Sequence, residues 1–519
     1  MSSIQCDNLP VSSLEVAPAE VRAAEEKKST YGQILKSSAL VGGSSVLNIG
    51  VGIVRTKAMA VLLGPSGFGL FGLYASLANL TQTLAGMGVN SSGVRQIAEA
   101  AGSGDLERIG QTAAVLRRVS LLLGLLGAAF LIVFARQVSA ITFGNRDHSS
   151  DIVLLSVAVF LTLVSLGQGA LIQGMRRIGD LAKMNVVGPV TATACSIPFV
   201  YYWHAKGVVP ALVVVAAMTL MASWWYSRKI DIPRFSTSML EVAREASALL
   251  KLGFAFMSSG LMTMGVAYVV RITVLRQVGI EATGLYQSAW TLGGLYVGFI
   301  LQAMAADFYP RLTAKASDNV ECNRLVNEQA QVGLLLAGPG VIATITFAPL
   351  VISLFYSARF AAAVPILRWI CLGTILQVIS WPMGFIIVAK ARQNIFFWCE
   401  MAWTIVSLAL AWVCVSAFGL VGAGIAFCGS YIFHGFLIYA VVRSLSGFEW
   451  SSENRKVGLL FLATITAVFC GFYVLPFWAA ITMGIVAAAL GSTYSLRTLA
   501  NLMPYERIPG PLRKVVAYF

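Results

Sequence analysis

Charge is what this chain most conspicuously lacks. Only 12% of its 519 residues are Asp, Glu, Lys or Arg, about half the share of a soluble domain, which excludes a water-facing surface over most of its area. Histidine is nearly absent. The three present, His148, His204 and His434, have no metal-ligand spacing, so no metal site is expected. There is no G-x-x-x-x-G-K-[ST] phosphate loop, so the chain is not expected to hydrolyse ATP. The polar stretches between apolar runs are too short to hold a catalytic domain. The chain is therefore expected not to be an enzyme and to need no cofactor, with a membrane glycosyltransferase using scattered carboxylates left open.

What is present is apolar sequence: 57% hydrophobic residues and a mean hydropathy of +0.78. A bilayer core of about 30 Å needs about 20 apolar residues per helix. Such runs recur at 37–62, 68–89, 119–134, 152–172, 186–203, 208–226, 253–275, 285–304, 332–355, 364–388, 395–417, 421–442, 457–474 and 475–490. The expected fold is an all-α membrane protein of about 14 transmembrane helices. The third and fourteenth runs are short; the stems of Arg117 and Arg118 lengthen the third by snorkelling. Only Pro476 and its neighbours divide the last pair, for which a re-entrant hairpin is the alternative.

The basic residues orient these spans. Of the 37 Lys and Arg, 28 lie in the tails and even-to-odd connections, five (Arg136, Arg146, Lys206, Arg276, Arg359) in the opposite connections, and four (Arg55, Lys57, Arg271, Arg368) within spans. This positive-inside asymmetry predicts a multi-pass protein of the bacterial inner (plasma) membrane with cytosolic N- and C-termini. The formal charge of +14 is spread among loops, unlike the single basic face of a nucleic-acid binder. Residues 1–30 are polar and read as a disordered cytosolic segment without the layout of a cleaved signal. Six of the eight cysteines fall in spans, and Cys6 and Cys322 on the basic side, so no disulfide framework is implied.

The chain also repeats, at an offset of about 215 residues. Arg55 corresponds within a residue to Arg271, Gly69-Leu70-Phe71 to Gly284-Leu285-Tyr286, Arg95 to Arg311, Arg177 to Arg392, and Gly207 to Gly419. Six spans separate the copies, so both halves enter the membrane in the same sense, a parallel repeat about an axis along the membrane normal. The domains expected are an N-lobe at 31–229 (spans 1–6), a cytosolic linker at 230–251, a C-lobe at 252–443 (spans 7–12), and a C-terminal helix pair with a cytosolic tail at 444–519. Two six-helix lobes around a cleft favour a transporter working by alternating access.

Ionisable groups at membrane depth usually face a cavity or partner. Arg55 lies about 27 Å along the first span, with Arg271 at the matching depth in the seventh. Each either lines the cleft or snorkels to headgroups. Lys57, two residues from Arg55, points to another face. Arg368, near a span start, is read as snorkelling. Glu400, in the first turns of the eleventh span, either pairs with a cation, carries a proton or reaches the interface. Trp290 and Trp381 are either stacking surfaces for sugar rings or interface anchors.

These residues also resemble a known family. The segment Lys57-Ala58-Met59-Ala60-Val61-Leu62-Leu63-Gly64-Pro65-Ser66-Gly67-Phe68-Gly69, together with Arg271, Tyr309-Pro310-Arg311-Leu312, Lys315, and Ala389-Lys390-Ala391 through Glu400, is similar to Wzx-type O-antigen and lipid-linked oligosaccharide flippases. These are polysaccharide transporters of the multidrug/oligosaccharidyl-lipid/polysaccharide exporter superfamily. The resemblance covers 31–443. It implies a twelve-helix core around a cation-lined cavity that moves an undecaprenyl-diphosphate-linked oligosaccharide from the cytosolic to the periplasmic leaflet for lipopolysaccharide and other surface polysaccharides. It further implies Arg55, Lys57 and Arg271 on the anionic substrate, Glu400 in ion coupling, and polymerase and chain-length proteins as pathway partners. Two rivals stand beside it: a drug/cation antiporter of the same superfamily, and a non-transporting subunit or polymerase of a glycan assembly complex.

Overall fold

In hydrocarbon no water can satisfy a backbone N–H or C=O, so an apolar chain crosses a membrane as helix or closed barrel. This chain takes the helical route. The computed structural model describes residues 19–103, 106–231 and 239–502, and these residues contain no strand. The first half comprises α1 (Ala19–Gly86), α2 (Val89–Ser103), α3 (Leu106–Val133), α4 (Ala135–Phe143), α5 (Ser149–Gly174), α6 (Ile178–Trp203) and α7 (Val208–Ser227). The second comprises α8 (Met239–Gln277), α9 (Ile280–Ala314), α10 (Asn319–Thr346), α11 (Ala348–Phe355), α12 (Val364–Ala389), α13 (Gln393–Phe418) and α14 (Leu420–Ser446). Two further helices follow, α15 (Ser452–Val474) and α16 (Phe477–Leu502).

Among the described residues ten segments are long and apolar enough to cross a membrane. Two of them, 44 and 50 residues long, are each divided. In α1 the division is at Gly64, whose φ of 65° suits glycine alone, followed by Pro65, which has no N–H to continue the ladder. Between α6 and α7 it is a 3-10 turn over His204–Gly207. The expected count of about fourteen rests on these divided segments and on α8 and α9, 39 and 35 residues long.

The structure corrects several boundaries. Helix α1 starts at Ala19, so the segment read as disordered over 1–30 is helical from that point; residues 1–18, with Cys6, lie outside the described residues, as do 232–238 of the linker and 503–519 of the tail. The third span is not short, because α3 runs 28 residues back through Arg117 and Arg118 to Leu106. The ninth run is broken at Phe347, where Pro349 opens the separate α11. The last run continues to Leu502, making α15 and α16 helices of 23 and 26 residues, each long enough to span where a re-entrant hairpin would be shorter.

Both halves use the same order of elements, including a short helix after the third long one: α4 with nine residues and α11 with eight. Their packing also corresponds. Helix α3 lies on α5, α5 on α7, α7 on α6 and α6 on α1; α10 lies on α12, α12 on α14, α14 on α13 and α13 on α8. The largest apolar cluster runs from Met59 and Phe68 of α1 through α9, α10 and α12 to Phe461 and Val468 of α15.

At the end of the bundle carrying the interhelical basic loops, polar groups tie connections to helices. Asp318 caps α10 by accepting from the Val320 and Glu321 N–H groups at 3.0 and 3.1 Å. Lys390 donates to the Ala316 carbonyl at 2.9 Å and to Asn319 Oδ1 at 2.6 Å. The Arg324 guanidinium, paired with Glu321 at 2.6 Å, holds that carboxyl below its ordinary range.

Arg368 does not snorkel. It is 9% exposed, its Nε donates to the Ile345 carbonyl at 3.2 Å, and its guanidinium lies 3.6 Å from the Phe472 ring centroid on α15. The break between α10 and α11 frees carbonyls that an intact helix would occupy, and Arg368 takes one of them.

Candidate functional site

The halves meet at the end holding Gly64, α4 and α11. Gly69 and Gly284, equivalent in the repeat, touch each other: a Cβ on either would lie 2.9 Å from the other's backbone nitrogen, and one on Gly284 would come within 1.8 Å of the Pro65 carbonyl oxygen. Only glycine permits that approach. Beside it Phe68 packs edge-on to Tyr356 and Phe360, with ring centroids 5.4 and 5.8 Å away. Tyr268 and Thr142 join their hydroxyls across the halves. Arg276, at the end of α8, donates to the Ala140 and Ile141 carbonyls, the latter at 2.6 Å. Those carbonyls close α4, where the helix dipole is negative and a cation is favoured. This end is shut.

Arg271 lies on α8 between two of these sealing residues, about one turn after Tyr268 and one turn and a half before Arg276. It is 5% exposed. Its Nε donates to Gln287 Oε1 at 2.6 Å and its Nη1 to the Ala267 carbonyl at 2.6 Å. The guanidinium carbon is 5.9 and 5.8 Å from the Tyr286 and Trp290 ring centroids, within cation–π range. Gln287 reaches the other half, where its side chain occupies the space a Cβ on Gly72 would need. The cation therefore sits near the junction with neutral partners, and among the described residues no carboxylate pairs with it. Arg55, its repeat counterpart, is half-buried, and among the described residues no hydrogen bond or ion pair reaches it; Lys57 is exposed. Neither lines the cavities described next.

Two adjoining cavities lie within the second half, of about 220 and 400 Å³. Thr263, Gln377, Trp403 and Tyr431 belong to the walls of both. The smaller is walled by Ala267, Val270, Tyr286 and Trp290, the surroundings of Arg271. The larger is walled by Trp381 and Glu400, with His434. The structure thus brings Trp290 to Arg271 and Trp381 to Glu400, in neighbouring spaces. Glu400 makes no ion pair with a described residue, and His434 Nδ1 lies 3.0 Å from Ser380 Oγ. A third cavity, about 420 Å³, opens between the halves farther toward the basic loops. It is lined by Asn79, Gln82, Asn90 and Ser91 of the first half and by Met257 and Met264 of α8.

Sequence reading missed Gln287, Gln377, Trp403, Ser407, Tyr431 and His434. One signal was available: Glu400, Trp403 and Ser407 follow at i, i+3 and i+7, a polar stripe on one face of an otherwise apolar helix. The rest depends on which helices become neighbours.

The chain is 22% identical over 413 residues to the lipid III flippase of Escherichia coli (strain K12), spanning 77% of this chain and 95% of that protein. It is 20% identical over 463 residues to the lipopolysaccharide biosynthesis protein WzxC of the same organism, spanning 86% and 85%. Among solved structures it shares the fold of the lipid II flippase MurJ in an inward closed conformation, with a TM-score of 0.64 over 90% of this chain and 99% of that one at 13% identity. Residues 34–315 match the family described as polysaccharide biosynthesis protein, and with more than half of its length so matched, the chain belongs to that family.

Proposed function

We infer that the chain is a flippase for lipid-linked oligosaccharides. What carries this reading is one conjunction: relatives named as flippases match along most of the chain, and the fold they accompany encloses cavities between and within two equivalent halves. The chain is a transporter, and its substrate is a membrane lipid bearing a glycan. The test is cellular. On depletion of the protein, lipid-linked oligosaccharide becomes inaccessible to a membrane-impermeant glycosidase added outside spheroplasts. Unchanged accessibility overturns the reading.

Several finer features belong to the same proposal. The two halves act as lobes, 31–229 and 252–443, that part at the Gly69–Gly284 contact when the shut end opens. Basic loops and both termini face the cytosol, so the shut end is periplasmic and the cavity lined by Asn79 and Gln82 lies on the cytosolic side. The carrier is an undecaprenyl diphosphate, whose phosphates call for buried cations with forked donors. Arg271 supplies one, and Arg55 and Lys57 contribute further positive charge. Glu400 is the candidate for ion coupling, and Trp290 and Trp381 are the candidate stacking surfaces. Polymerase and chain-length proteins are the pathway partners that such a role would require. A drug/cation antiporter would be expected to carry a carboxylate in the first-lobe cavity, whereas the first span here carries the cations Arg55 and Lys57.

A further inference from the structure

We propose that the paired cavities of the second half are a carbohydrate subsite, in which the Trp403 indole N–H and the Ser407 hydroxyl donate hydrogen bonds to the first sugar of the substrate. The inference deepens the flippase reading and rests on it.

Three observations converge on this space. The first is unmet hydrogen bonding. Trp403 and Ser407 both line the smaller cavity, and neither Trp403 Nε1 nor Ser407 Oγ has a partner although both atoms are buried. Ser407 is 6% exposed. Buried polar groups are almost always bonded, so unmet ones beside a cavity point to a ligand that completes them. A buried Thr404 Oγ1 one residue on is likewise unpartnered. The two donors stand four residues apart on one face of α13, so a single ring with oxygen substituents can meet both.

The second is the aromatic wall. Trp290 lies edge-on to Phe427 at 5.3 Å, Phe427 to Tyr431 at 5.0 Å, and Trp403 is tilted against Tyr431 at 5.9 Å. A pyranose has apolar C–H faces and a polar rim, and aromatic faces with a few placed polar groups are what such a ring needs. An acyl chain would need no donors.

The third is position. Ala267, Tyr286 and Trp290, the groups around Arg271, are also wall residues of this cavity. Arg271 bonds through Nε and Nη1, leaving Nη2 for an anion. A diphosphate held there places the sugar bonded to it in the aromatic space, with Glu400 at the far cavity available to accept hydrogen bonds from sugar hydroxyls.

The experiment measures binding of two probes to the purified full chain in nanodiscs: a polyprenyl diphosphate without sugar, and the same lipid carrying N-acetylglucosamine. For the wild type the sugar-bearing lipid binds at least 10-fold more tightly. In the Trp403→Phe/Ser407→Ala double variant that advantage shrinks to threefold or less while affinity for the bare diphosphate holds, and Ser407→Thr, which keeps the hydroxyl, retains it. Equal weakening of both probes marks a structural effect and overturns the subsite. So does a wild type to which the sugar adds nothing, although the flippase reading then survives. Binding of neither probe by the wild type removes both.

Discussion

Arg55 and Arg271 occupy equivalent places in the repeat, yet the two halves have treated them differently. Arg271 is fixed by a glutamine from the next helix, a backbone carbonyl and two aromatic faces. Arg55 is half-buried and unfixed. The cavities diverge in the same sense: amide and hydroxyl side chains where the first half contributes, aromatic walls in the second. A duplicated scaffold kept its helix order and packing while the linings separated. One half is suited to an open, wet vestibule; the other is suited to a preorganised site.

The strongest challenge to that comparison is to disturb what the halves share. Gly284→Ala puts a methyl onto the Pro65 carbonyl, and overpacking of this kind against backbone costs about 3 kcal/mol; the unfolding midpoint in detergent should fall by several degrees and translocation should be lost. A normal midpoint would mean the two backbones do not approach in this way. Next in size is Arg271→Ala. Hydrogen bonds to charged groups contribute about 1.5–3 kcal/mol, so diphosphate-lipid binding should weaken about 10- to 100-fold, and Arg55→Ala should cost clearly less. Equal losses would erase the asymmetry between the halves. Glu400→Gln should flatten the pH dependence of translocation in proteoliposomes while leaving substrate binding near wild type; an unaltered profile would remove Glu400 from coupling. The smallest effect is expected from Arg276→Ala, an exposed cation on the α4 carbonyls. Its loss removes about 1 kcal/mol or less of closed-state preference, raising labelling of a Tyr356→Cys reporter by an impermeant maleimide up to about fivefold.

Much of the fold could be read from sequence because lipid imposes one rule on every span, and helix follows from that rule together with apolar length. Breaks were harder. Gly64-Pro65 announces itself, whereas the division at Phe347 sits inside a continuous apolar run and is marked only by Pro349. Arg368 was misread because its environment comes from Phe472, 104 positions later in the chain, on a helix whose own course was uncertain. The pairing of Arg55 with Arg271 followed from the repeat, but the difference in their surroundings did not, since Gln287 and Gly72 become neighbours only on folding. Trp403 and Ser407 escaped notice for the same reason: a donor is seen to be unmet only once every group around it is known.

The meeting of Gly69 and Gly284 has a consequence for how such a protein can diversify. A bare-backbone closure offers substitution nothing to adjust by degrees, because any added atom props it open. Change of cargo is therefore pushed outward into the walls of the hollows, where rings and hydroxyls can be exchanged without altering the closure. A seal that tolerates no variation leaves the chambers beside it free to vary.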